Sequence, residues 1–404
     1  MMIEYTAIAG GICAPQGFRA AGVKTGIKSQ TKEDVAVIWA ACTSAAAGMY
    51  TLNKMCAAPV TLTKRHLTDG YARAIVVNSG CANACTGEQG MQDAMTMVRE
   101  TARALDLQPS DIAVASTGVI GTFLPMDKVT AGIRQACENL SPQGHDSTMR
   151  AIMTTDTFVK ELAVEFVLDG RVTRIGGMAK GAGMIEPNMA TMLSFITTDA
   201  AIQPALLKKA LQAAVERSFH AITIDGDTST NDTVLVLANG LAGNTLIDKE
   251  DELFDTFSAA LEHVCIYLAK LIVRDGEGAT KFLEITVQGA ADFAGAKLAA
   301  KSIANSPLVK TAFFGQDPNW GRIVAAAGYS GAAMEQDKVS LWIGGHKIVE
   351  NGQGTGFAGE ELTKVMAQKD IAVVIDLGAG AASATVWTCD FSYEYVRING
   401  EYTT

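Results

Sequence analysis

The chain has 404 residues, 48% of them hydrophobic and 19% charged, with 39 glycines, few aromatics and a formal net charge of −10. This composition fits a compact enzyme packed with Ala and Val, and excludes a disordered chain. It argues against a nucleic-acid partner, because no Lys- or Arg-dense stripe interleaves with aromatics. Glu4 and the early Gly10-Gly11 pair break any signal-peptide pattern, no stretch is expected to span a membrane, and the eight cysteines form no CxxC pair. The expected compartment is therefore the cytoplasm, with reduced, mostly buried cysteines and no zinc or other metal.

At this length the chain predicts two or three lobes, or one large multilayer unit. In chain order, short β-branched runs predict strands at VAVIW near residue 35, AIVVN at 74, IAVAS at 112, ELAVEFVL at 161 and LSFIT at 193. Two amphipathic helices follow. PALLKKALQAAVERSF from Pro204 has its proline in the first turn. DELFDTFSAALEHVCIYLAKLIVR from Asp251 carries acids at its start and a basic end, as the helix dipole prefers. The last third returns to strands at LEITV, VSLWI, AVVIDL and SATVW, the last two expected as a hairpin. The class is α/β of the mixed α+β kind, with substantial antiparallel sheet and no internal repeat or low-complexity linker.

The segment KGAGMIEPNMATML, residues 180–193, is the most informative. Gly181 and Gly183 admit positive φ and close backbone approach, and Pro187 fixes the chain direction and pushes Glu186 out of the helical region. Such a preorganised loop sets the hydroxyl of Thr191 behind the small Ala190. An N-to-O acyl shift from Ala190 to Thr191 followed by hydrolysis would cut the chain and leave Thr191 with a free α-amine. With a reference pKa of about 7.7–8.0, that amine could act as the base for its own hydroxyl. The ordinary alternative is a turn followed by a buried strand with Thr191 at its first position.

The segment resembles the cleavage site of the ornithine acetyltransferase family, also called glutamate N-acetyltransferase, and the likeness runs from the amino-terminal region to the last residue. NSGCANACTG at 78–87 and DPNWGRI at 317–323 are similar to family segments as well, although Cys81 stands where asparagine is expected. The resemblance implies a multilayer helix–sheet sandwich self-cleaved into chains 1–190 and 191–404. The two chains would stay associated as one folded unit, with two copies of each in a heterotetramer. It further implies Thr191 as nucleophile, and Thr117 and Gly118 of ASTGVIG (115–121) as the oxyanion hole. Substrate contacts would come from Thr154 of TTDT, Lys180, Thr191, Glu277 of RDGEGATKF, and Asn399 and Thr404 of the closing RINGEYTT. Taken alone these are a strand-to-loop turn, solvated charges, a helix-ending turn and a frayed tail. Lys180 is assigned to the substrate α-carboxylate and Glu277 to an ammonium, a pairing that could equally be reversed.

The implied reaction is ping-pong transfer of acetyl from N-acetylornithine to glutamate through acetyl-Thr191, with small-molecule substrates and no metal or bound organic cofactor. Whether acetyl-CoA is a second donor stays open. A self-processed amidase or aminopeptidase using water as acceptor is the first rival. The second is a nucleotide-binding protein built on DLGAGAAS (376–383) and DGDTSTND (225–232). Both segments are poor matches: Thr230 and Val236 occupy calcium-loop positions that require glycine and a bidentate acid, and Ser383 stands where the dinucleotide fingerprint has its third glycine.

Overall fold

The apolar runs become strands whose alternate residues face opposite helical layers. A computed structural model describes residues 4–186, 192–357 and 359–401. It divides into two compact units, one formed by residues 1–220 and 227–272 and the other by 221–226 and 273–403.

The first unit holds strands β1 (Thr6–Ile8), β2 (Phe18–Val23), β3 (Val35–Tyr50), β4 (Tyr71–Cys81), β5 (Ile112–Val119), β6 (Glu161–Leu168), β7 (Arg171–Lys180), β8 (Leu193–Thr198) and β9 (Thr233–Ala238). Their order in one sheet is β1-β6-β7-β8-β9-β3-β4-β5, with β2 also paired to β3. Along β3, β4 and β5, Val35, Val37, Val76 and Val114 enter one core with Met97, Val98 and Ile133 of the helices Gly87–Leu105 and Met126–Glu138. The intervening Ala36, Ile38, Ile75, Val77, Ala113 and Ala115 enter a second core with Met149, Met178 and Phe195. Covering both faces explains why these strands read as continuous apolar runs rather than alternating ones. β3 extends far beyond VAVIW: after a register shift between Trp39 and Ser44 its Ala-rich end, Ala45 to Tyr50, turns to pair with β9.

The helix Pro204–Arg217 buries Leu207, Ala210, Leu211, Ala214 and Val215, one stripe at 3.6-residue spacing. The helix Glu252–Arg274 is long and apolar enough to cross a membrane by length and composition. Here it is a core helix: Phe257, Leu261, Val264, Leu268 and Ile272 are all fully buried. Gly177 lets it approach β7, since a Cβ there would lie 3.0 Å from side-chain carbons of both Leu268 and Val264.

The second unit carries β10 (Phe282–Ala290), β11 (Ser340–Ile343), β12 (His346–Glu350), β13 (Gln353–Gly354), β14 (Asp370–Asp376) and β15 (Ala382–Cys389), ordered β13-β12-β11-β14-β10-β15. Its core packs this sheet against the helices Phe293–Asn305 and Trp320–Gly328. The hairpin expected between AVVIDL and SATVW does not form. β10 lies between β14, to which it is parallel, and β15, to which it is antiparallel. DLGAGAAS is the crossover. Leu377 donates to Gln288 O at 3.0 Å and Ala379 to Gly289 O at 2.7 Å, while a Cβ on Gly380 would meet Ala290 O at 2.4 Å. Its glycines serve a close backbone crossing that leads into a strand, which removes the phosphate-loop basis of the nucleotide reading.

Candidate active site

In the first unit β5 runs parallel to β4, with Ser79 opposite Thr117 and Gly80 opposite Gly118. Gly118 has φ 131, and a Cβ there would lie 2.3 Å from the carbonyl carbon of Gly80 and 2.5 Å from the nitrogen of Cys81. Only glycine fits, for both reasons. Thr117 is buried, and its Oγ1 accepts from Lys180 Nζ at 3.3 Å, which leaves the hydroxyl hydrogen free to donate elsewhere. Lys180 is itself buried at the end of β7. Thus Thr117, Gly118 and Lys180, three of the residues the resemblance singles out, come together. Cys81 donates its thiol to Thr122 O at 2.9 Å, and burial raises that thiol above its ordinary range, making it an inert packing group.

Thr154 is tied to this cluster through Asp156, a residue the sequence reading passed over. Asp156 Oδ2 accepts from Thr154 N at 2.9 Å, and Oδ1 from Lys160 Nζ at 2.6 Å and Gly181 N at 2.8 Å. Both charged side chains of the Asp156–Lys160 pair are fully covered. Burial alone would raise the Asp156 carboxyl, but the ammonium groups of Lys160 and Lys180 and the Gly181 N–H override it and hold the group well below the usual carboxylate range. Lys28 was missed as well. Its Nζ donates to Met153 O at 2.7 Å, and its side chain borders Gly80. Desolvation pulls it down to about 8, aided by Lys32 and Lys180 and opposed by Asp34 and Asp156. The signal for Asp156 was the i,i+4 Asp–Lys spacing inside TTDTFVK, which is indistinguishable from a solvated pair until burial is known.

The entrance to the 180–193 loop is built on unusual backbone. Positive φ falls on Gly181 (153) and on Met184 (57), a non-glycine residue. Ile185 bridges to Thr228, whose hydroxyl donates to Glu186 O at 3.0 Å. Within DGDTSTND, Gly226 and Asp227 are exposed, while Ser229, Thr230, Asn231 and Asp232 are buried. Asn231 Nδ2 donates to Ala82 O at 2.6 Å and Ser116 O at 2.8 Å, bracing the strand ends beside Thr117. Asp232 accepts from Met192 N at 3.0 Å. Pro187, Ala190 and Thr191 lie outside the described residues, as does Thr404.

In the second unit the stretch that leads into the closing residues is the helix Tyr393–Glu401, where RINGEYTT taken alone reads as a frayed tail. Ser392 donates to Gly278 O at 2.6 Å and caps Glu394 N at 3.2 Å. Gly278, at φ 71, leaves room for this seat, since a Cβ would meet Tyr395 N at 2.6 Å. Asn399 Nδ2 then donates to Glu277 Oε2 at 2.8 Å, joining two predicted substrate residues. All eight cysteines are free, four of them buried and Cys85 exposed, so "mostly buried" holds for only half. Among the described residues no cluster of His, Cys, Asp or Glu could hold a metal.

A profile of the ArgJ family matches residues 19–404. The chain belongs to the ArgJ family. It is 52% identical over 399 residues to the arginine biosynthesis bifunctional protein ArgJ of Symbiobacterium thermophilum, covering 98% of this chain and 99% of that protein. The protein of the same name from Caldanaerobacter subterraneus subsp. tengcongensis is 48% identical over 399 residues, with the same coverage. The crystal structure of the ArgJ protein of Bacillus halodurans is 46% identical with a TM-score of 0.51, its chain matched completely by 52% of this one. As a member of the ArgJ family the chain is an acyltransferase of arginine biosynthesis, of the ornithine acetyltransferase or glutamate N-acetyltransferase type. Thr117, Gly118, Lys180 and the Glu277–Asn399 pair all fall inside the stretch the family profile covers.

Proposed function

We propose that the chain cuts itself between Ala190 and Thr191 and then transfers acetyl from N-acetylornithine to glutamate by a ping-pong route. The observation that carries this reading is Gly118, held at φ 131 against Gly80 beside Thr117, whose hydroxyl is already engaged as an acceptor by Lys180. That arrangement offers an N–H and an O–H to one oxyanion, and each such donor is worth roughly 3 kcal/mol in the transition state.

Thr191 Oγ attacks the acetyl carbonyl while its α-amine takes the hydroxyl proton. Gly118 N–H and Thr117 O–H hold the oxyanion. Collapse breaks the amide bond, and the α-ammonium returns a proton to the departing nitrogen of ornithine. The amine of glutamate then attacks acetyl-Thr191, releasing N-acetylglutamate. Lys180 serves the α-carboxylate, with Thr154 beside it, and Glu277, Asn399 and Thr404 serve the rest of the amino acid. An amide-to-amine transfer is near balance, so the nucleophile, a base and a dry pocket suffice without a cofactor. The relatives' name, bifunctional, supports acetyl-CoA as a second donor. Two copies of each chain in the cytoplasm complete the reading.

Two facts favour the cut. Residues 191–404 are about 53% of the chain, near the 52% that the whole Bacillus halodurans chain matches. β8 and β9 also lie inside the first unit's sheet, with β7 on one side and β3 on the other, so severed pieces would stay joined by two strand ladders. A denaturing gel tests it. Bands of about 20 and 22 kDa, scaled by length from 42.4 kDa, are expected, the larger beginning Thr-Met-Leu; Thr191→Ala should stay whole. An intact, fully active wild type would refute the free-amine mechanism. Turnover of acetylornithine that is indifferent to glutamate would favour the amidase instead.

A further inference from the structure

Lys28 has no role in the reaction as described, yet a whole turn is built to aim it. Asp34, fully buried just before β3, accepts from Thr25 N at 2.8 Å and Thr25 Oγ1 at 2.7 Å through Oδ1, and from Ile27 N at 2.8 Å and Lys28 N at 3.2 Å through Oδ2. Asp34 O also accepts from Ser79 N at 2.8 Å, which sets the turn against the end of β4. There Gly80, at φ 97, makes the seat: a Cβ on it would lie 2.9 Å from Lys28 Cγ and 3.0 Å from Ile27 Cγ2. Gly80 is also the residue that Gly118 lies against, so the Lys28 stem rests on the strand that packs beside the oxyanion residues.

From Gly80 the Lys28 ammonium reaches the end of the helix His145–Ile152, donating to Met153 O at 2.7 Å and Arg150 O at 3.4 Å. Ser79 Oγ donates to Ala151 O in the same turn. The last carbonyls of a helix have no partner within it, and a cation there gains hydrogen bonds and the favourable end of the dipole. Directly after Met153 comes Thr154, whose N–H is held by Asp156. The charges of Asp156 and Lys180 both act on the Lys28 ammonium, which puts it at the edge of their cluster. One side chain thus spans from the partner strand of Thr117 and Gly118 to the turn that carries Thr154. We propose that Lys28 is a positioning residue for the transfer reaction: by binding the carbonyls that close this helix while its stem rests on Gly80, it sets where Thr154 stands relative to the oxyanion residues, and so how tightly N-acetylornithine is held. No bond forms or breaks at Lys28.

This inference rests on the reading of Thr154 as a substrate contact, and steady-state kinetics of transfer from N-acetylornithine to glutamate separate the two. Lys28→Met removes the ammonium but keeps an unbranched stem over Gly80, and Asp34 holds residue 28 through its backbone N–H. It should raise KM for N-acetylornithine roughly tenfold with kcat within about threefold of wild type, the pattern of lost ground-state binding. Lys28→Arg restores a cationic donor and should bring KM back to within about threefold. Lys128→Met is the control, because Lys128 Nζ ties the same turn through Gly26 O at 2.9 Å rather than the helix end, and its KM should be that of wild type. In a Thr154→Val background Lys28→Met should add nothing further, since the residue it positions is already lost. Should Lys28→Met not fold, Lys28→Gln, which keeps a donor without the charge, carries the same test. A fall in kcat with KM unmoved, an equal KM rise in Lys128→Met, no recovery with arginine, or an undiminished effect in the Thr154→Val background would each overturn the proposal. Thr154→Val alone with a wild-type KM would instead remove the substrate reading of Thr154, and the proposal with it.

Discussion

Gly118→Ala is the most exacting test of the oxyanion strand. The added methyl would lie 2.3, 2.5 and 2.7 Å from Gly80 C, Cys81 N and Gly80 Cα, all backbone atoms of the paired strand β4, so no side-chain rotation relieves it. A φ of 131 is a second penalty for any residue with a Cβ. Backbone strain costs about 1–3 kcal/mol and overpacking a comparable amount, giving a stability loss of ~2–6 kcal/mol. Relief requires the strand ends to part, which swings the Gly118 N–H off the oxyanion. Losing one such donor lowers kcat by roughly 100- to 1,000-fold. Gly121→Ala in the same loop is the control, because φ there is 80 but nothing lies within 4 Å of the added methyl. It should cost only the strain, about 1 kcal/mol. Urea unfolding and steady-state transfer from N-acetylornithine to glutamate measure both effects. If Gly118→Ala is folded and its kcat lies within fivefold of Gly121→Ala, the Gly118 N–H is not an oxyanion donor.

Three further outcomes are expected. Asp156→Asn removes the anion that Lys160 and Gly181 N share. It should cost about 3–5 kcal/mol at pH 7, as loss of one partner of a buried pair does. Since the folded carboxyl is held below its unfolded value, its contribution is complete above about pH 4 and is lost as pH falls, so the variant's stability should decline less than wild type's between pH 4 and 2; equal declines would contradict the pairing. Glu277→Gln keeps an acceptor for Asn399 but no charge, and should lower kcat/KM for acetylornithine by roughly 10- to 100-fold while self-cleavage proceeds; a change under twofold would take Glu277 out of the ammonium site. Deleting Tyr402–Thr404 should leave cleavage intact and raise KM, and unchanged kinetics would remove Thr404 from the substrate site.

The parts of the candidate site that the sequence proposes are those whose chemistry is local. A glycine after a hydroxyl residue at a strand end, as in Thr117-Gly118, and a hydroxyl residue behind a small one in a Gly/Pro loop are short-range features. The family resemblance joined them to Lys180, Glu277 and Asn399. Asp156 was passed over, and Asn231 and Asp232 were read only as part of a polar turn lining the site, because Asp and Asn in polar runs look like turns. What distinguishes them is burial and which backbone groups they satisfy, and neither is a property of neighbours in sequence.

The fold divides along the same line. Apolar periodicity by itself placed the strands at AIVVN and ELAVEFVL and the 3.6-residue stripe after Pro204, because side-chain direction repeats within each element, but it did not mark β2, β7 or β9 or the helices Gly87–Leu105 and Met126–Glu138. Only the tertiary structure decided their partners. β3 outruns VAVIW because β9 offers its small-residue end a ladder, and β14 and β15 are parted because β10 can pair with both through backbone groups that carry no sequence signature. The Gly-rich link between them serves a backbone crossing that becomes visible only when the strand beneath it is in place.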